Sequence, residues 1–346
     1  MPGAKGNKQP SNIVTLKSVA QRVNLSPGTV SAVLNDSPSS KHIPERTRSR
    51  ILAAARELNY RPNFFARTLR KKRTYTIGVI PKDVGDGYSS LIIAGIENYI
   101  REKNYFFITG VHRHDAELLQ QYASLLQQRG VEGFITVDQN LPHSLALPTV
   151  AVSGHQQHEG LTNIVLDHRH AATLALTHLL KLGHRRIAFM QGNPASSDAE
   201  DRWRAIVEVA KQMGIQVRPE LTVQIDSEEI SPQLGYPFAK ELLARKKPFT
   251  ALFAYNDISA IGAIRAFHEA GLRVPADVSV VGFDDIQGAE FHHPSLTTVR
   301  QPLRRMGEIA AKVLLERIEG LEDYPREIAV EPELVVREST GPATKA

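Results

Sequence analysis

Polar side chains able to hold a small molecule recur where apolar runs end: Asp138, Ser153, Arg202, Asn256 and Asp284, with Tyr88 and Ser89 beside the first such run. A carboxylate, carboxamide or guanidinium is planar and makes two parallel hydrogen bonds, which suits the vicinal hydroxyls of a sugar, and the Tyr88 ring can lie against the sugar's apolar face. Structural roles compete with this one. Asn256 and Asp257 can cap a helix that starts there, Asp284 and Asp285 can both be turn residues, and Trp203 beside Arg202 reads as core or rim. Adjoining Asp284 and Asp285 could do acid/base work, but no nucleophile, base and orienting group accompanies them. No enzyme is therefore expected, and no cofactor is implied.

Thirteen histidines raise the question of a metal. His168 with His170, and His292 with His293, lack the i, i+4 spacing or the converging third ligand that a site needs, so none is predicted. The absence of cysteine excludes disulfides and thiolate chemistry and fits a reducing cytoplasm.

These side chains need strands and helices to position them. TIGVIP (Thr76–Pro81), Phe106–Val111, Val131–Val137 and Pro148–Ser153 read as strands, with helices over Leu91–Lys103 and Ala116–Arg129 between them. The alternation then resumes, with helices over Ala171–Leu182, Asp201–Met213 and Asp257–Ala270 and strands over Arg186–Gln191, Ala251–Tyr255 and Val278–Phe283. Strand and helix in turn imply parallel sheets, and two such lobes bind a ligand in the crevice beyond their strand ends. At 346 residues, two or three domains are expected.

The front of the chain differs. Residues 1–74 hold 15 Lys and Arg against 3 Asp and Glu, whereas the remainder holds 27 against 34. A basic module on an acidic body is the footprint of a polyanion binder. No amphipathic stretch with bulky apolar anchors accompanies the charge, so the polyanion is not a membrane. Residues 1–12 are polar and basic and are expected to be disordered, with no apolar run of signal-peptide or transmembrane kind.

In TLKSVAQRVNLSPGTVSAVLN (Thr15–Asn35), Leu16, Val19, Ala20 and Val23 form one helical face, and Val30, Val33 and Leu34 can cover it. Asn24 and Leu25 leave room only for a tight turn before Ser26 as N-cap and Pro27 at the first helical position. That is a helix-turn-helix, whose second helix offers its N-terminus to DNA. A Ser/Pro loop follows from Asp36 to His42, then a third helix over Pro44–Leu58 with Thr47, Ile51, Ala55 and Leu58 inward. Pro62 breaks it, and Phe64–Arg70 can form two further turns, too short to persist alone.

TVSAVLN, PERTRSRILAAARELNYRPN and ARTL resemble the DNA-binding head of the LacI/GalR family of bacterial transcription regulators. HLLKLGHRRIAFMQG, FAYNDISAIGAIRAFHEAGLRVPADVSVVGFDD and PSLTTVRQPLRRMGEIAAKVLL extend the resemblance to about residue 338. It implies an all-α helix-turn-helix head (13–61), a hinge helix and linker (62–74), a two-lobed periplasmic-binding-protein-like effector and dimerisation core (75–338), and a disordered tail (339–346). Lobe 1 spans about 75–166 and 299–330, lobe 2 about 167–298. Leu69, flanked by Arg67 and Arg70, matches the residue that wedges into the minor groove, where unstacking a step costs a few kcal/mol. Ser26, Pro27, Gly28, Thr29, Ser31, Ala32 and Asn35 complete the DNA-facing set. Pro27, Gly28 and Ala32 cannot donate a side-chain hydrogen bond, so direct readout is expected to be weak and DNA shape and hinge insertion to carry more of the specificity. The loop carrying Lys41 and His42 is longer than is usual in the family and can add a phosphate contact.

By the same resemblance, Arg202, Asn256 and Asp284 match effector-holding positions, although Ala205 stands where a glycine often follows. The expected function is a sequence-specific, allosterically controlled repressor of a palindromic operator, a homodimer without a coiled-coil tail. The competing classes are a sugar-binding transport protein, which has no use for a basic head, and a nonspecific architectural DNA binder.

Overall fold

The computed structural model describes residues 14–61 and 73–343, apart from Pro142, Glu228 and Glu322. The expected minor-groove residues Arg67, Leu69 and Arg70, and the segment 1–12, lie outside the described residues. The chain divides into two compact units, Met1–Thr74 and Tyr75–Ala346.

In the first unit, helix α1 (Leu16–Val23) starts in a capping box between Thr15 and Ser18 and ends at Asn24, which takes a left-handed conformation. Helix α2 (Pro27–Leu34) and helix α3 (Glu45–Glu57) pack against it. Val19, Ala20, Val23, Val30, Val33, Ile51, Ala54 and Ala55 form a small closed core, with Leu16 and Leu58 at its edge. The segment read as a Ser/Pro loop contains a short 3₁₀ helix, Pro38–His42, because Pro38 fixes the first helical φ and Ser37 stands extended before it.

The second unit holds two six-stranded sheets. Strands β1 (Thr76–Ile80), β2 (Phe106–Thr109), β3 (Phe134–Val137), β4 (Thr149–Val152), β5 (Leu161–Leu166) and β11 (Glu327–Val330) form the first, in the order β11-β5-β4-β3-β1-β2, all pairs parallel. Alternation along β1 divides its side chains between two cores: Ile77 and Val79 face helix α4 (Gly87–Glu102), and Ile80 faces helix α5 (Ala116–Gln128). Helix α4 begins four residues earlier than its apolar periodicity suggests, because the Asp86 carboxylate accepts from the Ser89 amide at 2.6 Å and caps it.

Helix α6 (His168–Lys181) opens the second lobe. It is followed by β6 (Ile187–Gln191), helix α7 (Ser197–Gln212), β7 (Thr222–Gln224), helix α8 (Tyr236–Ala244), β8 (Ala251–Phe253), helix α9 (Asp257–Glu269), β9 (Ser279–Asp284), the short α10 (Gln287–Phe291) and β10 (Thr297–Arg300). Its sheet runs β12-β10-β9-β8-β6-β7, with β12 (Glu333–Val335) antiparallel to β10.

The lobe boundaries differ from the sequence expectation. Val299 and Arg300 belong to lobe 2, paired with Phe283 and Asp284. After helix α11 (Leu303–Ile318) and β11 in lobe 1, the chain crosses once more into lobe 2 through β12. The tail expected to be disordered is ordered through Ala343. Ser339 is fully buried: its hydroxyl donates to the Val280 carbonyl and accepts the Thr297 amide, while Ala343 bonds Leu182. Ser339 fills a hydrogen-bonding gap that β9 and β10 leave at their N-terminal ends, which no hydropathy pattern reports.

Candidate functional site

On the head, Ser26 caps α2 by accepting the Thr29 amide at 3.1 Å, and the two hydroxyls lie 2.9 Å apart. Ser26, Pro27 and Gly28 are exposed, and Thr29, Ser31, Ala32 and Asn35 are half-buried. Asn35 donates to the Ser31 carbonyl at 2.8 Å and to its hydroxyl at 3.2 Å, which ties the end of the helix together. A Cβ added at Gly28 would meet nothing nearer than the Ser26 hydroxyl at 3.7 Å, so packing does not demand glycine there. Arg22 is paired with Glu57 at 2.9 Å and Arg50 with the Val23 carbonyl at 3.1 Å; both brace the head. Lys41 and His42 are exposed on the 3₁₀ helix.

Between the lobes, Tyr88, Asp138, Arg202, Asn256 and Asp284 line one cavity, as the sequence suggested. Asp138 and Asp284 close β3 and β9 with φ of 56° and 107°, left-handed backbone that the surrounding packing must hold. Two expected members are not on its wall. Ser89 is buried behind the α4 terminus. Ser153, also fully buried, supports the Tyr88 phenol from behind through a 2.5 Å hydrogen bond. Lys82, Asp86, Ser196, Asp198 and Tyr255 line the wall although the sequence did not single them out. The S-S-D run beginning at Ser196, just ahead of α7, was the available signal.

Arg202 is 5% exposed. Its guanidinium lies 3.9 Å from the Phe283 ring centroid and 4.8 Å from that of Tyr255, donates to the Tyr255 carbonyl at 2.9 Å and reaches Asp198 at 3.3 Å. Its Nε is buried without a hydrogen-bond partner among the described residues. Burial pushes the Asp284 carboxyl up to about 7, against the opposing pull of Arg202 and of Gln301, which donates to it at 2.7 Å. Burial would raise Asp138 and Asp198 as well, but histidines outweigh it. His114 bonds Asp138 at 3.0 Å and keeps it below the usual range, and His168 and His155 hold Asp198 well below.

Asn256 spends its side-chain oxygen on the Ser259 amide, the cap anticipated for it. Asp257 does not cap: fully buried, it accepts the Thr298 hydroxyl at 2.5 Å and the Ile286 amide at 2.9 Å. Asp285 turns away to Arg300 and Arg337, each at 2.7 Å. Trp203 packs edge-on against Phe189 rather than on the cavity. His168 and His170 also part company, His168 facing Asp198 and His170 facing Glu331.

The cavity measures about 50 Å³, against the roughly 300 Å³ of a small-molecule pocket. Lobe-to-lobe hydrogen bonds close it. Asp138 of lobe 1 accepts the Ser196 hydroxyl at 2.8 Å and the Ser197 amide and hydroxyl at 3.1 Å, and His155 of lobe 1 meets Asp198 at 2.6 Å.

Residues 15–63 match the profile of bacterial regulatory proteins of the lacI family, and residues 176–340 that of a periplasmic binding protein-like domain. A protein of Erwinia tasmaniensis described as the HTH-type transcriptional repressor PurR is 34% identical over 338 residues, which is 95% of this chain and 97% of that one. Its counterpart in Pectobacterium carotovorum is 33% identical with the same coverage. Among solved structures, the lac repressor dimer bound to operator and the anti-inducer ONPF superposes with a TM-score of 0.86 at 29% identity, over 95% of this chain and 99% of that one. A lacI-family regulator of Enterococcus faecium with bound ribose gives 0.67 at 29%, over 78% and 100%.

Proposed function

The chain belongs to the lacI family of bacterial regulatory proteins, as a DNA-binding transcriptional repressor with an effector-binding core rather than an enzyme, and we propose that it grips a palindromic operator as a homodimer whose affinity is set by a neutral polyhydroxylated effector, most simply a sugar. The observation that carries the effector reading is the wall of the inter-lobe cavity. Four carboxyls, Asp86, Asp138, Asp198 and Asp284, line it beside two cations, Lys82 and Arg202, so acceptors for hydroxyl groups outnumber the cations that a phosphate or carboxylate would need. The Arg202 Nε, without a hydrogen-bond partner among the described residues, is a donor for a hydroxyl, and Tyr255 supplies a ring. The ribose-bound regulator among the structural relatives holds a ligand of this class.

On the DNA side, Ser26, Thr29, Ser31 and Asn35 position the α2 terminus on phosphates, Pro27, Gly28 and Ala32 give apolar contact to base edges, and Arg67, Leu69 and Arg70 open the minor groove at the dyad. For the dimer, the edge strand β2 offers Phe106, 71% exposed, and Ile108, 39% exposed. No helix among the described residues is long and apolar enough to cross a membrane, and a repressor acts where the DNA is, in the cytoplasm.

Mechanism follows from linkage. A cavity this small admits a sugar only when the lobes part, so the effector favours an arrangement other than the closed one, and the lobe arrangement sets the spacing of the paired hinges. Thermal-shift screening against sugars and nucleosides identifies the effector, and titration of a duplex selected from random sequence, with and without it, tests the coupling. A sugar hit that changes operator affinity is expected. Equal affinities, or a nucleoside as sole hit, would refute the coupling or the effector class respectively.

A further inference from the structure

Behind the effector cavity, where the chain crosses between lobes, three metal-ligating side chains converge from separate segments. His155 follows β4 of lobe 1, His168 opens α6, and Asp198 lies in the first turn of α7. Their ligand atoms all fall within 4.8 Å of one another. The Asp198 Oδ1 stands 2.6 Å from His155 Nε2 and 3.3 Å from His168 Nε2. We propose that His155, His168 and Asp198 bind a divalent transition-metal ion, with zinc the best fit, and that the ion pins the two lobes together.

Several observations point the same way. His168 is 7% exposed, and neither of its ring nitrogens makes a hydrogen bond among the described residues. A buried imidazole with a carboxylate oxygen at 3.3 Å, too poorly aligned for a hydrogen bond, leaves ligand capacity that an ion between them would use. His155 is oriented by a carboxylate on its far nitrogen, Asp201 at 3.0 Å, the arrangement that fixes the tautomer of a zinc-bound histidine. Two imidazoles and one carboxylate are a donor set that suits zinc, with a fourth position left for water. Donors about 2.0–2.1 Å from a tetrahedral ion stand roughly 3.3 Å apart. His168 already meets that spacing, and His155, on a loop, needs to withdraw by less than an ångström. An open cavity of about 510 Å³, walled in part by His155, His168 and Asp201, gives the ion a way in. By contrast, Asp167, His170 and Glu331 also cluster, but the His170 ring is already engaged by Glu331 at 2.6 Å in a more exposed setting, which makes it a control.

The test uses the tag-free full-length chain and the metals alone. Cobalt(II) titrated into the wild type is expected to give the visible absorption of a four-coordinate site at one equivalent per chain. The band should vanish in His155→Ala and His168→Gln, persist in His170→Ala, and in Asp201→Asn appear with affinity lowered about tenfold or more. Zinc should displace cobalt and slow amide exchange across residues 153–159. Absence of the band in the wild type, or its survival in either His155→Ala or His168→Gln, overturns the site; zinc binding without protection of 153–159 overturns the bridge between lobes. Circular dichroism without metal establishes that each variant folds, and should His168→Gln fail, His155→Ala, at a less buried position on a loop, decides alone.

Discussion

Arg202 and Asp284 show how one buried pair of charges can be sensitive to pH. Asp284 ionises in the folded chain near 7, against about 3.9 when unfolded. A raised carboxyl contributes stability that is fully present below the unfolded value and is lost as pH rises through the folded one. Asp138 and Asp198, held low, contribute in the opposite sense, so the wild-type profile mixes both. The difference between Asp284→Asn and wild type isolates one of them. From pH 5 to pH 8 the variant should gain about 2 to 3 kcal/mol relative to wild type in urea denaturation; a flat difference would mean that Asp284 ionises normally. The head carries a ranking at the same scale. Leu69→Ala should lower operator discrimination more than Ala32→Gly does, as measured on matched and mismatched duplexes, because Ala32 offers one methyl while the family resemblance assigns Leu69 the part of a wedge in a base step.

Among elements, α4 and α11 cross backbone to backbone. A Cβ on Gly95 would stand 1.9 Å from the Arg304 carbonyl oxygen, and one on Gly307 2.1 Å from that of Ile92. Main chain cannot swing aside as a side chain does, so Gly95→Ala and Gly307→Ala should each cost about 3 kcal/mol or more in thermal unfolding, with the double variant less than additive since the first change already parts the helices. Gly28→Ala, in open space, should leave stability unchanged within about 0.5 kcal/mol. The C-terminal strap makes a second case. Deleting residues 339–346 strips partners from the Val280 and Thr297 amides, each worth about 1–3 kcal/mol when orphaned in the interior, and lobe 2 should melt earlier than lobe 1 by limited proteolysis.

At the scale of the molecule, the Asp138 latch to Ser196 and Ser197 holds the lobes closed, and a neutral amide accepts those bonds less strongly. Asp138→Asn should expand the core in small-angle scattering and speed exchange of the Ser197 amide; an unchanged radius would show that other contacts close the cleft. The sequence by itself determined the basic helical head, the alternation that builds two sheets, and half of the polar cavity wall, because periodicity, capping residues and strand ends are local properties that survive in one dimension. Only the tertiary structure decided that Ser153 stands behind Tyr88, that the tail completes lobe 2, and that His155 and Asp198, 43 positions apart, meet His168. Those outcomes depend on which segments the crossovers bring side by side, and no local pattern encodes a contact between chain segments whose separation is fixed by the packing of everything between them.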